Sequence, residues 1–563
     1  MAVGIVTSGR DYFIDNIDDA IGNFMKTVPI RLSDANNKSF EEICKEVQES
    51  VLNGIYHIED ITISSMRNAL ILEKNQNVFN DIFLFENYPA TNDSYSTFDI
   101  LKHTANDYNS FPIVTYFYSK DDSLEIEMQL LDTVKENKEE YMNVILNNIN
   151  RQFASESVED DIIDMLEESF KKNQNEIALK YKDAVITYAE LKKISDVIAQ
   201  YLIDNIEDHY IGVYMSSSSE AIIYIVSILK AGKAFVPIDP MMPVERCNYI
   251  LNNSGANYVF RSAEDGTSEN LSANVKELNI EKIGSVEAYK KPIIESNDSA
   301  YVIYTSGSTG NPKGVKVSYA NIACFIKYIK DHFVYTIEDV IYQNHSLSFD
   351  NAVWEIMSAL VSGASLLIPK DRRNIEEMIL SIKEESVTSI SLTPSQLSIV
   401  LEYMDCFPEV SLGSLKYLFV GSETVPISVI KKLKDRISSE CAVYNEYGPT
   451  ETTITSSLYR IPMENLDEIE SYPSVPIGMP IAECVFILDN SDKEDEGELL
   501  IGGPCVTLGY LNDEEKTNKV FVQKDNVELP GKYYRTGDYV KRYEDGNYIF
   551  LHRVDDQVKI RGI

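Results

Sequence analysis

The stretch Tyr301-Val302-Ile303-Tyr304-Thr305-Ser306-Gly307-Ser308-Thr309-Gly310-Asn311-Pro312-Lys313-Gly314-Val315 breaks an apolar, strand-like run into glycines, hydroxyls and one lysine. Glycines let a backbone turn tightly and bring its N–H groups close to a ligand, and hydroxyls and an ammonium add donors. That is the composition an oligophosphate requires. The Walker pattern is excluded, because it ends in Gly-Lys-Ser/Thr and here Lys313 stands between Pro312 and Gly314. A Gly/Ser loop by itself is equally a solvent-exposed turn between strand and helix. The lysine, the strand before and the helix expected after it favour phosphate.

A chain of 563 residues has room for about four domains by length alone, and its 44% apolar content is that of globular cores. No apolar run reaches the roughly 18 residues of a membrane span, and no basic stretch leads into a hydrophobic one at the N-terminus. A cytoplasmic location is expected. The seven cysteines form no Cys-x-x-Cys pair and read as reduced core residues. Lys and Arg total 51 against 89 Asp and Glu, a net charge of -38. Such a surface repels nucleic acid and anionic membranes, so neither is an expected partner and a nucleotide needs a local site.

Residues 1–150 have few glycines and no phosphate-type loop, and they read as a separate unit. Ser8-Gly9-Arg10 and Ile21-Gly22-Asn23-Phe24-Met25-Lys26-Thr27-Val28-Pro29-Ile30-Arg31 resemble a late motif of condensation domains from nonribosomal peptide synthetases, with Lys26 where asparagine is usual. Phe85-Glu86-Asn87-Tyr88-Pro89 and the alternating Ser123 to Gln129 suit the C-terminal lobe of that α+β fold. The doubled histidine of condensation chemistry is absent, so this lobe is expected to dock rather than catalyse. Residues 151–172 read as an acidic linker with a short amphipathic helix carrying Ile162, Ile163, Leu166 and Phe170. Beyond it strands and helices alternate, which implies parallel sheets under helices.

An ordered series of motifs across about residues 186–562 resembles the adenylation domains of the adenylate-forming superfamily. It starts at Ile186-Thr187-Tyr188-Ala189-Glu190-Leu191 and Leu229 to Asp239, passes the phosphate loop, and continues with Phe349-Asp350-Asn351-Ala352-Val353-Trp354-Glu355 and Asn445-Glu446-Tyr447-Gly448-Pro449-Thr450-Glu451. It ends with Gly497-Glu498-Leu499, Gly509-Tyr510-Leu511, Tyr534-Arg535-Thr536-Gly537-Asp538 and Arg553 to Gly562. The resemblance implies an α/β large subdomain at 173–563, two sheet layers plus a distorted β-barrel, with Asp555 as the hinge before a small C-terminal subdomain that is not in the chain. It implies ATP-dependent conversion of an amino acid to aminoacyl-AMP, then transfer to the phosphopantetheine thiol of a carrier domain.

Activating a carboxylate with ATP requires neutralising pyrophosphate, a task for the loop N–H groups, Thr305, Ser306, Gly307, Ser308, Thr309, Gly310 and Lys313. The resemblance makes Glu451 the magnesium ligand, a hard oxygen donor for a hard cation. Thr305, Lys313 and Glu451 are thus the expected catalytic residues. Tyr447 is expected to stack on adenine and Asn445 to read its edge, with Gly421, Ser422, Gly448 and Thr450 nearby. Asp538 offers acceptors to ribose, and Arg553 reaches the phosphate or ribose side. Three positions depart from the family: Tyr319 for a histidine, His552 for a glycine, and Phe550 for a tyrosine whose hydroxyl could touch the nucleotide.

Asp350 decides the substrate class, because a buried carboxylate beside an apolar pocket calls for a cation, here a substrate α-ammonium. Carried over by position, the pocket is Asp350, Asn351, Trp354, Ser391, Leu418, Val420, Glu446, Ile454 and Thr455. Trp354, Leu418 and Ile454 suit an aromatic side chain. Asn351, Val420 and Glu446 narrow the space and add polar groups that must be satisfied, which favours a polar side chain. An acyl- or aryl-CoA ligase, or a nucleotide-binding module without turnover, is the alternative expectation.

Overall fold

The computed structural model describes residues 161–554 apart from 263–270, 272–274, 280–287, 307–310, 408–409, 490–494, 525–526 and 528. It also describes the backbone of strands at 2–7, 26–31, 81–86, 113–120 and 123–130. Two compact units divide at Glu159/Asp160. The Gly307 to Gly310 core of the phosphate loop, the hinge Asp555, and the segments at 8–10 and 21–25 lie outside the described residues.

The first unit holds a five-stranded mixed sheet in the order Lys26–Arg31, Ala2–Thr7, Asp81–Glu86, Ile113–Lys120, Ser123–Leu130. The last two pair antiparallel, with Ile113 opposite Leu130. The alternation seen from Ser123 onward does form a strand.

In the second unit a seven-stranded sheet runs Lys276–Leu278, Tyr258–Arg261, Tyr210–Tyr214, Ala234–Ile238, Ser299–Thr305, Lys313–Ser318, Gly509–Tyr510. A nine-stranded sheet has Ala442–Tyr447, Tyr417–Gly421, Ser389–Leu392 and Val340–Tyr342 at its centre. One continuous core joins the two, drawing Phe235, Tyr301 and Ile303 from the first sheet and Leu179, Leu366 and Phe419 from the second. Helices Ser219–Lys230 and Asn351–Ser362 are buried along nearly their whole length. That is the state of a helix that is apolar all round. Where a barrel is expected, an antiparallel sheet gathers Val485–Asp489, Glu496–Gly502, Phe521–Lys524, Gly531–Arg542 and Tyr548–Arg553 around Leu499, Ile501 and Val540.

The expected linker helix is real, Ile162–Lys172, with Asp161 accepting from Ile163 N–H as its N-cap. It belongs to the core of the second unit. Ile162, Ile163, Leu166 and Phe170 are fully buried, and Ser169 donates to the Leu360 carbonyl at 2.6 Å. Glu167 meets the wholly buried Lys230 at 2.5 Å. The apolar stripe is wide enough to be a packing face, so the segment docks instead of spanning.

Candidate functional site

The strand Ser299–Thr305 enters the phosphate loop and Lys313–Ser318 leaves it, the two paired antiparallel with Thr305 opposite Lys313. This hairpin needs Gly314, because a Cβ there would stand 2.9 Å from both Tyr304 and Val302. The Thr305 hydroxyl is buried without a protein partner. Lys313 Nζ lies 2.6 Å from Glu451 Oε1 and 2.9 Å from the Tyr510 hydroxyl, which itself donates to Glu451 Oε1 at 2.7 Å. Burial alone would raise the Glu451 pKa, but the Lys313 charge and the hydrogen bonds from Lys313 and Tyr510 hold it below the ordinary glutamate value.

Glu451 stands in a turn built by close backbone approach. A Cβ at Gly448 would meet Ile454 O and Thr455 Cα, each at 2.6 Å. Thr453 and Ile454 follow with φ of 59° and 67°. Consecutive left-handed β-branched residues carry strain of about 1–3 kcal/mol each, of the kind that clusters at ligand sites. Hydrogen bonds from Thr453 Oγ1 to Cys505 O and from Ser456 N–H to Tyr447 O hold the turn. Ser422, after Gly421, is also left-handed with φ 65°.

Tyr447, Asp538 and Arg553 are brought together. The tyrosine hydroxyl donates to Asp538 Oδ2 at 2.6 Å, and Arg553 Nη1 donates to Asp538 Oδ1 at 2.7 Å and to Thr536 O at 2.9 Å. Asn445 sits differently from expectation. Its amide donates to the Val475 and Pro476 carbonyls, at 3.3 and 2.7 Å, so its N–H groups tie down the chain rather than face a base. Phe550 packs on the antiparallel sheet's core, and the unusual Tyr319 donates to the Leu229 and Lys233 carbonyls.

Asp350 is the N-cap of Asn351–Ser362, yet its side chain makes no capping bond. An N-cap aspartate ordinarily spends its carboxylate on the first-turn N–H groups. Here Oδ2 is buried with no protein partner, as is the nearby Tyr301 hydroxyl. Burial pushes the Asp350 carboxyl up to about 6, against the lowering effect of the Thr450 hydroxyl beside it. The Tyr301 phenol is held well above its ordinary value by burial and by the Asp350 charge.

Glu446 is likewise buried. Asn351 Nδ2 and Ser391 Oγ both donate to its Oε1 at 2.9 Å, whereas Oε2 has no protein partner. Burial pushes this carboxyl up to about 7. Two groups that the sequence did not single out stand behind it, His345 and Glu355. His345 Nδ1 is 2.8 Å from Glu355 Oε1, and the Asn344 and His345 N–H groups both donate to Glu355 at 3.2 Å. Burial would lower the imidazole's pKa, but the Glu355, Glu446 and Asp350 charges raise it.

Two expected pocket residues, Leu418 and Val420, are placed otherwise. In the parallel register Ser391 pairs with Phe419, Phe419 with Tyr444 and Gly421 with Glu446, so these share one face. Leu418 and Val420 point to the other face and pack with Val425 and Val443. The residue that meets Trp354 is therefore Phe419, with ring centroids 4.6 Å apart; Phe325 closes the opposite side at 5.6 Å. Trp354 is thus wedged in core aromatics. Ile454 is buried in the same core, and Thr455 is buried beside it.

Among the described residues no group of three or more His, Cys, Asp or Glu side chains is placed to hold a metal. A single carboxylate such as Glu451 still fits magnesium, which is often held by one or two carboxylates and the substrate's phosphates.

The family described as AMP-binding enzyme matches residues 166–511, and the one described as Condensation domain matches residues 1–168. Tyrocidine synthase 3 of Brevibacillus parabrevis is 28% identical over 100% of this chain and 9% of its own length. Bacitracin synthase 3 of Bacillus licheniformis is 31% identical over 99% of this chain and again 9% of its own. The chain therefore spans about a tenth of these relatives. Among solved structures, the Klebsiella oxytoca NpsA N-terminal subdomain in complex with 3-hydroxyanthranilyl-AMSN superposes with a TM-score of 0.62 at 24% identity, covering 70% of this chain and 100% of that one. The artificially fused adenylation-PCP di-domain NpsA-ThdA from the same organism gives 0.65 at 24%, covering 71% and 80%. At such identity these two share the fold.

Proposed function

Since the chain belongs to the AMP-binding enzyme family, we propose that its second unit selects an amino acid and activates it with ATP as aminoacyl-AMP, for transfer to a carrier-domain phosphopantetheine thiol in nonribosomal peptide synthesis. The domain reading that goes with this is a condensation-type unit up to Glu159 and an adenylation large subdomain from Asp160 onward, with helix Ile162–Lys172 part of the latter rather than of a linker.

The observation that carries the amino-acid reading is Asp350. A carboxylate at a helix N-cap position that makes no capping bond, buried and with one oxygen unpartnered, is suited to an ammonium group. In activation a substrate carboxylate oxygen attacks the α-phosphorus of ATP and the bond to the β-phosphate bridge breaks, releasing pyrophosphate. Thr305, Ser306 and Lys313 are the groups proposed to take up the leaving group's charge. Tyr447, Asp538 and Arg553, joined by hydrogen bonds through Asp538, are the groups proposed for the nucleoside end, with Asp538 as acceptor for the ribose hydroxyls. Magnesium bound by Glu451 would share the phosphate charge.

Pyrophosphate exchange into ATP, measured across proteinogenic and common nonproteinogenic amino acids, tests this. Stimulation by particular amino acids is expected. Stimulation by carboxylic acids that lack an α-amine would overturn the amino-acid reading, and calorimetry without ATP binding at about millimolar concentration would overturn the nucleotide site.

A further inference from the structure

We propose that Glu446 is the counter-ion of a cationic substrate side chain, so that the amino acid anchored by Asp350 carries a second ammonium group, as diamino acids do. This rests on the amino-acid reading above.

The argument begins with geometry. Gly421 on the neighbouring strand makes room for the Glu446 side chain, since a Cβ there would fall 2.1 Å from Glu446 Cγ. Asn351 and Ser391 approach from the helix and the next strand and both donate to Oε1. Hydrogen bonds donated to a carboxylate favour its charged form. Oε2 remains buried and unpartnered, and among the described residues no lysine or arginine forms an ion pair with Glu446.

The charge count of this region gives the same answer. Asp350, Glu355 and Glu446 influence one another and His345 electrostatically. His345 is tied directly to Glu355, which makes that pair neutral when the imidazole is protonated. A substrate α-ammonium would match Asp350. Glu446 is then the one carboxylate of the set without a cation, and a buried carboxylate in that state is costly.

An ammonium suits the site better than an amide does. An amide brings a carbonyl that needs a donor of its own, and the Asn351 and Ser391 donors are already aimed at Glu446. An ammonium presents donors only.

The test is calorimetric titration of the whole chain, with a nonhydrolysable ATP analogue present, by ornithine, lysine and 2,4-diaminobutyrate against norvaline, norleucine and glutamine. The diamino acids are expected to bind about tenfold or more tightly than neutral partners of matched length. Because the carboxyl stands near 7 without ligand, their binding should release a proton at about neutral pH. Replicate titrations in buffers of differing ionisation heat read that release. Glu446→Gln keeps the side chain's shape and should erase both the preference and the Glu446-linked proton. Neutral amino acids binding as tightly as diamino acids in the unaltered chain would overturn the proposal while leaving amino-acid activation standing. Binding of no amino acid at all would overturn both.

Discussion

Lys313 Nζ and Glu451 Oε1 lie 2.6 Å apart across 138 residues of sequence, joining the strand that leaves the phosphate loop to the turn that follows Tyr447. The lysine proposed to meet phosphate thus holds the carboxylate proposed to meet magnesium. Replacing Lys313 with alanine leaves a buried glutamate without its cation. We expect a stability loss of about 2–3 kcal/mol from the stranded charged group together with weaker ATP binding. Because the Glu451 pKa is depressed in the folded state, the stability it contributes is present above the ordinary glutamate range and is lost as pH falls through its lowered value. Chemical denaturation of Lys313→Ala and parent at neutral and acidic pH should show the gap closing in acid.

Asp350 and Glu446 have the opposite sign. Their folded pKa values are raised, to about 6 and about 7. Without a ligand, the stability linked to their protonated forms is full below the ordinary carboxylate range and is lost as pH rises through those values. Each costs on the order of 3 kcal/mol once ionised. Asp350→Asn and Glu446→Gln should therefore melt above the parent at about pH 8, with the difference gone near about pH 4. Melting curves that coincide at both pH values would show that neither carboxylate is desolvated.

Asp350→Ala separates the two halves of the site. Its carboxylate is the group proposed for the substrate ammonium, whereas the proposed nucleotide end lies with Tyr447, Asp538 and Arg553, which are hydrogen-bonded to one another. Amino-acid-dependent pyrophosphate exchange should disappear while ATP affinity, followed by calorimetry, stays within about twofold. Retained exchange would remove the principal residue-level support for an aminoacyl substrate.

Much of this was legible in the sequence because glycine spacing and motif carboxylates have few other uses. The strand entering the phosphate loop and the buried face of Ile162 to Phe170 could be read directly, whereas the helix expected straight after the loop is preceded by the strand Lys313–Ser318 and starts only at Tyr319. What escaped was register and pairing. Tyr417–Gly421 is an inner strand of a parallel sheet, apolar on both faces, so alternation does not say which side holds Phe419 and which holds Leu418 and Val420. The His345–Glu355 pair carries no motif of its own. Tyr510 sat within a recognised Gly-Tyr-Leu run, but its bond to Glu451 spans 59 residues and only the fold brings the two together. For Asn445 a motif gives a position but not the use of each atom: its N–H groups go to the Val475 and Pro476 carbonyls, which leaves the amide oxygen as the atom that could meet a base edge.

Gly448 offers a test of the strained turn. A methyl group there meets only backbone, Ile454 O and Thr455 Cα at 2.6 Å and Ser456 N at 2.8 Å, so no side chain can swing aside. Gly448→Ala should cost about 2 kcal/mol or more and should displace Ile454 and Thr455. A melting temperature within error of the parent would show that the turn yields freely.

Tyr510→Phe isolates one hydroxyl in the phosphate-side network. The phenol donates to Glu451 and accepts from Lys313, so its loss leaves the ion pair in place while removing a donor from a buried carboxylate. The ring still packs on Phe521, with centroids 5.8 Å apart, and the core is therefore undisturbed. Stability should fall by about 1 kcal/mol, the net worth of an ordinary hydrogen bond. Glu451, with one fewer donor holding its charged form, should titrate higher than in the parent, which moves the acid limb of the stability curve to higher pH. If the variant's denaturation profile overlays the parent's from acid to neutral pH, Tyr510 is a packing residue whose hydroxyl contributes nothing to the carboxylate.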